Sequence, residues 1–255
     1  VVGVVSGFKA NAPFTPVPVP KGDAVLDVKV AAGAYQVLAR VGEPIPSDAA
    51  GQRFGQVDTV AGKLKEVCNH PDGNMFLPIT ASGDEAYLFT NYECRPGTIG
   101  KMYLKRNGKG WSVIDGENLS FAAVQGAWNN CNASVTPWNT GLSSEEYEPL
   151  AGKSGWQENV KDMTVYLGKQ ANPYDYGYPI ELSPDHKGES LATKAVKHYA
   201  MGRLSYEMSV VMKDRKTAYS GDDGTGVILA KYVADEPDKL SAGTLYAGKI
   251  TQEKD

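Results

Sequence analysis

The stretch WNNCNASVTPWNTGLSSEE, residues 128–146, carries more chemical information than any other part of the chain. It contains one thiol, several amide side chains, two tryptophans and an adjacent pair of glutamates. Thiolates are soft ligands that suit transition metals, whereas carboxylates suit hard cations such as calcium. We interpret the stretch as a loop that supplies both kinds of ligand to a mixed metal site, and the alternative is a tryptophan-anchored structural loop with a buried cysteine.

On both sides of this stretch the chain alternates between short apolar runs and turn signals. Gly and Pro recur throughout, as in the turn signals at residues 71–73, 95–97 and 221–224. The predicted strands, rich in β-branched and aromatic residues, are residues 86–90, 101–104, 111–114, 163–167, 208–212 and 227–233. Regular short strands separated by turns predict an all-β sandwich, barrel or propeller.

Helical periodicity is weak in this sequence. The candidate helices are short, at residues 50–54 and at 143–150, where Ser143 is a candidate N-cap. The Pro-rich residues 14–21 predict that residues 1–22 form an extended N-terminal arm. A length of 255 residues suits one large domain or two small ones, and length alone does not decide between them.

Bulk composition narrows the function classes. The net charge is -4 and no basic stripe is present, which argues against a nucleic-acid partner. No run of about 18 apolar residues occurs, so the sequence predicts no transmembrane segment. The first residues lack the basic start and apolar core of a signal peptide, and we interpret them as a mature end left after processing.

The three cysteines are Cys68, Cys94 and Cys131, and no CxxC pair is present, which excludes a zinc ribbon. Cys68 and Cys94 flank predicted neighbouring strands and could form a disulfide, which would suit an oxidising compartment. The alternative is three ordinary buried thiols.

Other acidic residues also stand where they could bind cations. Glu93 ends a predicted strand, Glu207 precedes an apolar strand, and Asp222 and Asp223 lie in a Gly-rich turn. A carboxylate beside an apolar strand is desolvated unless a cation meets it. The planar guanidinium of Arg203 matches the geometry of a phosphate. The alternatives are a surface glutamate, an Arg–Glu surface pair and a plain hairpin turn.

Taken in order, these segments resemble the PhoX-like alkaline phosphatase family. That family carries Asn-His-Glu, then Asn-Cys with Thr-Pro-Trp-Gly-Thr and Glu-Glu, then Gly-Arg-Phe, His-Glu and a Gly-Asp-Asp turn. The corresponding segments here are residues 91–93, 130–131, 136–140, 145–146, 202–204, 206–207 and 221–223. The resemblance runs from about residue 68 to 249, and the block from Asn-Cys to Glu-Glu is its specific part.

The resemblance implies a six-bladed β-propeller with an iron–calcium site at the mouth of its central channel. It also implies an exported hydrolase of the alkaline phosphatase type, which cleaves phosphate monoesters. By motif position, Cys131 would bind iron, and Arg203 is the candidate phosphate contact. The candidate carboxylate ligands are Glu93, Glu145, Glu146, Glu207, Asp222 and Asp223.

This chain departs from the family pattern at both histidine positions, which are Tyr92 and Tyr206 here. A phenol titrates far above an imidazole, so we expect lowered or altered activity if those groups transfer protons. The alternative function is a catalytically impaired propeller that serves as a structural or binding subunit of an extracellular assembly. A lactonase-like hydrolase fits calcium binding but not the cysteine.

Family members continue for roughly as long again as this chain. We therefore expect residues 1–255 to form a single partial propeller domain, covering roughly the first half to two-thirds of the fold. A second chain or a missing C-terminal part would supply the remaining blades, because an unclosed propeller exposes sheet edges and core. The expected location is the periplasm, the extracellular space or the cell surface.

Overall fold

The computed structural model describes residues 2–6, 21–22, 34–48, 50–152, 154–184 and 193–249. Two short antiparallel pairs come first along the chain. β1 (Val2–Ser6) pairs with β2 (Ala34–Ala39), and β3 (Gln56–Asp58) pairs with β4 (Leu64–Val67). The predicted N-terminal arm therefore begins with a strand, and residues 7–20 of that arm lie outside the described residues.

Three four-stranded antiparallel sheets follow in series within the described residues, and we call them blades one, two and three. Blade one consists of β5 (Pro71–Pro78), β6 (Glu85–Tyr92), β7 (Thr98–Asn107) and β8 (Gly110–Asn118). Blade two consists of β9 (Asn130–Val135), β10 (Gly141–Glu145), β11 (Ile180–Pro184) and β12 (Thr193–Lys197). Blade three consists of β13 (Tyr206–Val211), β14 (Thr217–Asp222), β15 (Leu229–Glu236) and β16 (Lys239–Ala247). In each blade every strand pairs with the next one along the chain. The first strands also contact one another, with β9 between β5 and β13. This is the arrangement of consecutive propeller blades, and it confirms the all-β prediction.

Apolar layers lie between the sheets because each strand directs alternate side chains to opposite faces. Met75, Phe89 and Leu182 belong to the layer between blades one and two. Leu142 and Tyr232 belong to the layer between blades two and three. These layers fix the blades side by side, and thereby fix the first strands at the centre.

The two outer faces of this three-blade unit differ. Blade one is covered on its outer side by apolar residues that include Phe54, Val57 and Met163, from the N-terminal region and a helix. On blade three, by contrast, a cross-strand row of paired residues contains three exposed aliphatic or aromatic side chains and one lysine. The row is Val210, Tyr219, Lys231 and Tyr246. We call this surface the open face.

Two short α-helices, α1 (Trp156–Asn159) and α2 (Lys161–Leu167), lie in the connection between β10 and β11. The predicted strand at residues 163–167 was therefore wrong, because this segment is α2. Met163 and Tyr166, one turn apart, are its buried residues, and Gly168 ends it in a left-handed conformation. In this case tertiary contacts and a glycine cap outweigh β propensity.

The helices predicted at residues 50–54 and 143–150 are absent from the structure. Ser143 lies in β10, where it pairs with Ile180 of β11 and Ala133 of β9. The stretch at residues 128–146 is therefore mainly a β-hairpin rather than a loop. Its turn is closed by Thr136 Oγ1, which accepts a hydrogen bond from the Thr140 backbone N–H at 3.1 Å.

Cys68 and Cys94 form a disulfide with a Cα–Cα distance of 6.0 Å, and Cys131 is a buried free thiol. The first of the two cysteine alternatives is therefore confirmed. A crosslink closing a loop of this size stabilises the fold by about 3 kcal/mol in the chain-entropy model. None of the helices in the described ranges has the length and apolar character needed to cross a membrane.

Candidate metal centre

The first strands of the three blades each place a potential ligand at their second residue. These residues are Asp72 in β5, Cys131 in β9 and Glu207 in β13. The Cys131 Sγ atom lies 3.1 Å from the Tyr206 carbonyl oxygen and 3.3 Å from that of Glu207, and its S–H can donate to either. Because the blades are stacked in register, residues far apart in sequence meet at one end of the central strands.

Carboxylates from the ends of other strands join this group. Side-chain oxygens of Glu146, Glu207 and Asp223 all lie within 4.8 Å of one another. Glu146 directly follows β10 and Asp223 directly follows β14. We use the term acidic cluster for Asp72, Glu93, Glu146, Glu207 and Asp223, whose charges act on one another.

Glu93 is held at this cluster by Asn129. The Asn129 side-chain amide donates to Glu93 Oε1 at 3.0 Å, and the Asn129 carbonyl accepts from the Glu146 N–H at 3.2 Å. Asn129 has a left-handed φ of 45°, a conformation that asparagine tolerates better than most residues. Asn129 therefore orients the Glu93 carboxylate and also fixes the backbone at Glu146.

Hydrogen bonding and burial fix the position of Cys131. The Asn91 side-chain amide donates to the Cys131 carbonyl at 2.7 Å and ties β9 to the end of β6. Burial raises the pKa of the Cys131 thiol, and the charges of Glu146 and Glu207 raise it further. The thiol is therefore neutral without a cation, and metal coordination is what would deprotonate it.

The cluster is electrostatically unbalanced. Within the part of the chain that the structure describes, none of its five carboxylates forms an ion pair with a Lys, Arg or His side chain. Desolvation raises the pKa of Glu146 to about 7, with further contributions from a hydrogen bond to Asp223 and the charges of Glu207 and Glu93. Desolvation and nearby charges also raise the pKa of Glu207. A bound cation would remove this repulsion, and the set of hard oxygens with one sulfur fits both calcium and a transition metal.

Glu145 was predicted as a ligand together with Glu146, but the structure places it outside the acidic cluster. Its carboxylate is fully buried and lies 2.9 Å from the Lys197 ammonium. The same carboxylate accepts from the backbone N–H groups of Trp128, Gly177 and Tyr178 at 2.9–3.1 Å. Because these four donors satisfy its carboxylate, we interpret Glu145 as a structural residue.

Asp222 and Asp223 also direct their carboxylates to different surroundings. Asp222 Oδ1 accepts from the Ser205 N–H at 3.0 Å, so that its carboxylate closes the loop before β13. Asp223 donates its own N–H to the Ser205 carbonyl at 2.8 Å and directs its carboxylate to the cluster. The first aspartate shapes the turn and the second one reaches the candidate site.

The guanidinium of Arg203 donates to backbone carbonyls. Its Nε donates to Tyr176 at 2.9 Å, and its terminal nitrogen donates to Pro173 at 3.2 Å and to Pro149. The ring of Tyr174 also lies beneath it. A contact between Arg203 and phosphate remains a prediction.

Both tyrosines at the family histidine positions are core residues. Tyr92 packs against Gly55 and Gly100, and a Cβ atom at Gly100 would collide with its ring. The Tyr206 hydroxyl donates to the carbonyls of Met201 and Gly202 at 2.7 and 3.1 Å. The two rings therefore serve packing here, and their effect on activity remains a prediction.

Sequence reasoning missed two residues of this region, Asp72 and Tyr147. Asp72 was assigned to a turn, but it lies in β5, and its charge raises the pKa of both Cys131 and Glu207. The signal that could have found it is positional equivalence with Cys131 and Glu207, which appears only once the strands are known. Tyr147 follows the glutamate pair, and the neighbouring carboxylates of Asp223 and Glu146 raise its pKa.

Comparison with known proteins gives three findings. The family model of alkaline phosphatase PhoX matches residues 95–254. The structure of Pseudomonas fluorescens PhoX in complex with vanadate, a transition state analogue, aligns with a TM-score of 0.56 and 17% identity, covering 83% of this chain and 51% of that chain. A Bacteroides uniformis structure assigned as a 6-phosphogluconolactonase aligns with a TM-score of 0.39 and 10% identity, covering 85% of this chain and 59% of that chain.

A search among curated proteins finds no match to this chain. The alignment with the Pseudomonas structure confirms the β-propeller prediction, and this chain spans about half the length of that protein.

Proposed function

This chain belongs to the PhoX alkaline phosphatase family, and from that premise we propose that it contributes to a cation-dependent phosphomonoesterase. The observation that carries the proposal is the acidic cluster beside the buried Cys131 thiol, whose five carboxylates have no ion-pair partner among the described residues. Such a concentration of like charge is costly unless cations are bound.

In this proposal Cys131 binds iron, and Glu93, Glu146, Glu207 and Asp223 bind calcium, with Asp72 as a further candidate. The cations would act as Lewis acids that bind phosphate oxygens and stabilise the charge of the transition state. The protein's part is to hold the ligands. Asn129 orients Glu93, Asn91 fixes the β9 backbone at Cys131, and the sheet register sets the remaining distances.

We further propose that the protein is exported to the periplasm, the cell surface or the extracellular space. The disulfide between Cys68 and Cys94 supports this, because disulfides persist mainly in oxidising compartments.

We also propose that further blades pack on the open face, supplied by another chain or by a C-terminal part. The cross-strand row from Val210 to Tyr246 supports this, because exposed apolar side chains that neighbour one another on a sheet mark interaction surfaces. The chain expressed alone should self-associate in light-scattering experiments, and V210K should reduce that association. The matched control is V165K, at an exposed position of α2. Equal self-association of the two variants would contradict the proposal that further blades pack on the open face.

The central test is hydrolysis of an aryl phosphate by the native assembly, purified without chelators. Activity should disappear after chelation and return with calcium. E207Q should abolish the restored activity, whereas E158Q, at an exposed position of α1, should retain it. A rate that does not respond to chelation would refute a cation-dependent mechanism.

Retained calcium binding without hydrolysis would favour the alternative function, a propeller kept as a structural or binding subunit. This alternative is supported by the hydrogen bonds that the Arg203 guanidinium donates to backbone carbonyls.

A further inference from the structure

The disulfide between Cys68 and Cys94 lies directly beside the candidate metal centre, because Cys94 is the residue after Glu93. β6 ends at Tyr92, so Glu93 and Cys94 lie beyond the end of the strand. The Glu93 N–H donates to the His70 carbonyl at 2.8 Å. The Cys94 N–H donates to the Tyr92 carbonyl at 3.0 Å. The position of the Glu93 carboxylate therefore depends on how this short segment is held.

The other end of the disulfide is anchored in a rigid part of the fold. Cys68 directly follows β4 and is buried in the apolar layer that covers blade one on its outer side. The Cys68 N–H donates to the Gly55 carbonyl at 2.8 Å. The Gly55 N–H donates in turn to the side-chain oxygen of Asn118, the last residue of β8, at 3.1 Å. The crosslink therefore fixes Cys94 to the outer side of blade one.

Cys94 also contacts the residue that organises the acidic cluster. Its carbonyl accepts from the Asn129 N–H at 2.8 Å. The Asn129 side-chain amide donates to Glu93, and the Asn129 carbonyl accepts from the Glu146 N–H. A continuous path of covalent and hydrogen bonds thus leads from the disulfide to two candidate metal ligands.

We propose that the Cys68–Cys94 disulfide is a positioning element of the metal centre, which reaches its full cation affinity only after these two thiols are oxidised. The inference rests on the proposed function, because it assumes that the acidic cluster binds cations. Without the crosslink Cys94 loses its covalent anchor, and repulsion from Glu146 and Glu207 favours positions of Glu93 away from the cluster. Groups that orient ligating carboxylates set metal affinity in this way.

The oxidation is a thiol–disulfide exchange with an external disulfide, RSSR. One cysteine thiolate attacks RSSR and forms a mixed disulfide, and the second thiolate then displaces the remaining RS group as the Cys68–Cys94 bond forms. Two electrons pass from the cysteine pair to RSSR, and the two cysteine protons end on the two RSH molecules released. Because disulfides persist mainly in oxidising compartments, the chain would bind cations weakly until it is exported.

The test is a calcium titration of the chelator-treated native assembly by calorimetry, with the disulfide intact and after reduction by a phosphine. We expect the reduced protein to bind calcium about 10–100-fold more weakly. The matched control is the double variant C68S/C94S, which should bind calcium as weakly as the reduced wild type and should not respond to the phosphine. A response of this variant to the phosphine would place the redox sensitivity outside the disulfide and overturn the inference.

A merely structural disulfide gives a different result. If the crosslink acts by restricting the unfolded chain, its reduction lowers the melting temperature and leaves the calcium affinity of the folded protein unchanged. The titrations are therefore made at a temperature at which circular dichroism shows both forms to be folded. Equal calcium affinities under that condition would overturn the inference.

The variant N129G tests the same path with the disulfide intact, so it does not depend on whether the reduced chain folds. Glycine adopts the φ of 45° found at Asn129 and keeps the backbone hydrogen bonds to Cys94 and Glu146. It lacks the amide that holds Glu93, so N129G should bind calcium at least about 10-fold more weakly. Reduction should then weaken calcium binding by N129G less than by the wild type, because the two changes act on one path. Unchanged calcium affinity in N129G would also overturn the inference.

The outcomes distinguish this inference from the proposed function. If the oxidised and reduced proteins bind calcium equally well, the disulfide has no positioning role and the proposed function stands. If the oxidised wild type binds no calcium, the proposed function fails and the inference fails with it.

Discussion

Glu145 and Glu146 are neighbours in sequence, but their surroundings are opposite in kind. Glu145 is enclosed in blade two, where Lys197 and three backbone N–H groups satisfy its carboxylate. Glu146 faces a region of like charge, with Glu207 and Asp223 within 4.8 Å. Successive residues of an extended chain point to opposite sides, which explains how adjacent side chains reach such different regions.

The comparison teaches that a glutamate's role follows from its donors rather than from its motif. A carboxylate that meets an ammonium and several N–H donors stabilises the fold, whereas one surrounded by like charges costs free energy until a cation is bound. The two regions should therefore respond differently to substitution.

The largest expected effect is on stability, from K197M. Removing the ammonium leaves the Glu145 charge buried without its counter-ion, which should destabilise the fold by about 3–5 kcal/mol. Urea unfolding of the metal-free protein measures this loss. K161M is the matched control, since Lys161 pairs with Glu158 at the surface and should change stability little. Equal losses of unfolding free energy in the two variants would mean that the buried pair of Glu145 and Lys197 contributes no more to stability than the surface pair.

The next largest effect is that substitutions of the two glutamates should change different properties, calcium binding for Glu146 and stability for Glu145. E146Q should weaken calcium binding by at least about 10–100-fold, the range seen for outer-shell partners, without lowering metal-free stability, because it removes one of several like charges. E145Q should lower the free energy of unfolding instead, because it weakens the interaction with Lys197. Calcium titration and urea unfolding of both variants test this. If E145Q weakened calcium binding as much as E146Q, Glu145 would be a ligand after all.

A smaller effect is expected for R203K. Lysine cannot reproduce the fork that contacts the carbonyls of Tyr176 and Pro173, so the free energy of unfolding should fall by about 1–3 kcal/mol. Urea unfolding measures this, and inhibition of hydrolysis by inorganic phosphate tests the phosphate contact separately. Weaker phosphate inhibition with unchanged stability would favour the role predicted from sequence.

The smallest effect concerns pH. The pKa of Glu146 is raised to about 7 from an ordinary value of 4.5, so the folded metal-free protein binds this proton more tightly than the unfolded chain does. The contribution of protonated Glu146 to the stability of the fold is therefore present below pH 4.5 and is lost as the pH rises to about 7. Calcium must displace the same proton, so its affinity should fall by up to about tenfold per pH unit below 7. Titrations across this range check both trends, and a flat profile would place Glu146 outside the metal centre.

Much of the fold could be predicted from local sequence. The predicted strands at residues 86–90, 101–104 and 111–114 lie within β6, β7 and β8, because short β-branched and aromatic runs between turns suit half-buried strands. Residues 163–167 contain the same residue types but form α2. Local composition therefore failed where a glycine cap and buried helix contacts took precedence.

The candidate site was less accessible to sequence reasoning. Glu93, Cys131, Glu146, Glu207 and Asp223 were all suspected, and the structure brings them together. Sequence reasoning gave no way to separate these ligand candidates from Glu145 and Asp222, or to find Asp72, because their donors come from residues distant in sequence.

The sequence by itself determined an all-β chain with one free thiol candidate and an ample supply of acids, because strand propensity and ligand chemistry are local properties. Only the tertiary structure decided which acids converge, because residues from 72 to 223 meet through the stacking of three blades. It also decided that Lys197 neutralises Glu145, whereas Glu146 has no ion-pair partner in the part of the chain that the structure describes. Long-range packing sets the solvation and charge around each carboxylate, and these two quantities separate structural carboxylates from candidate ligands.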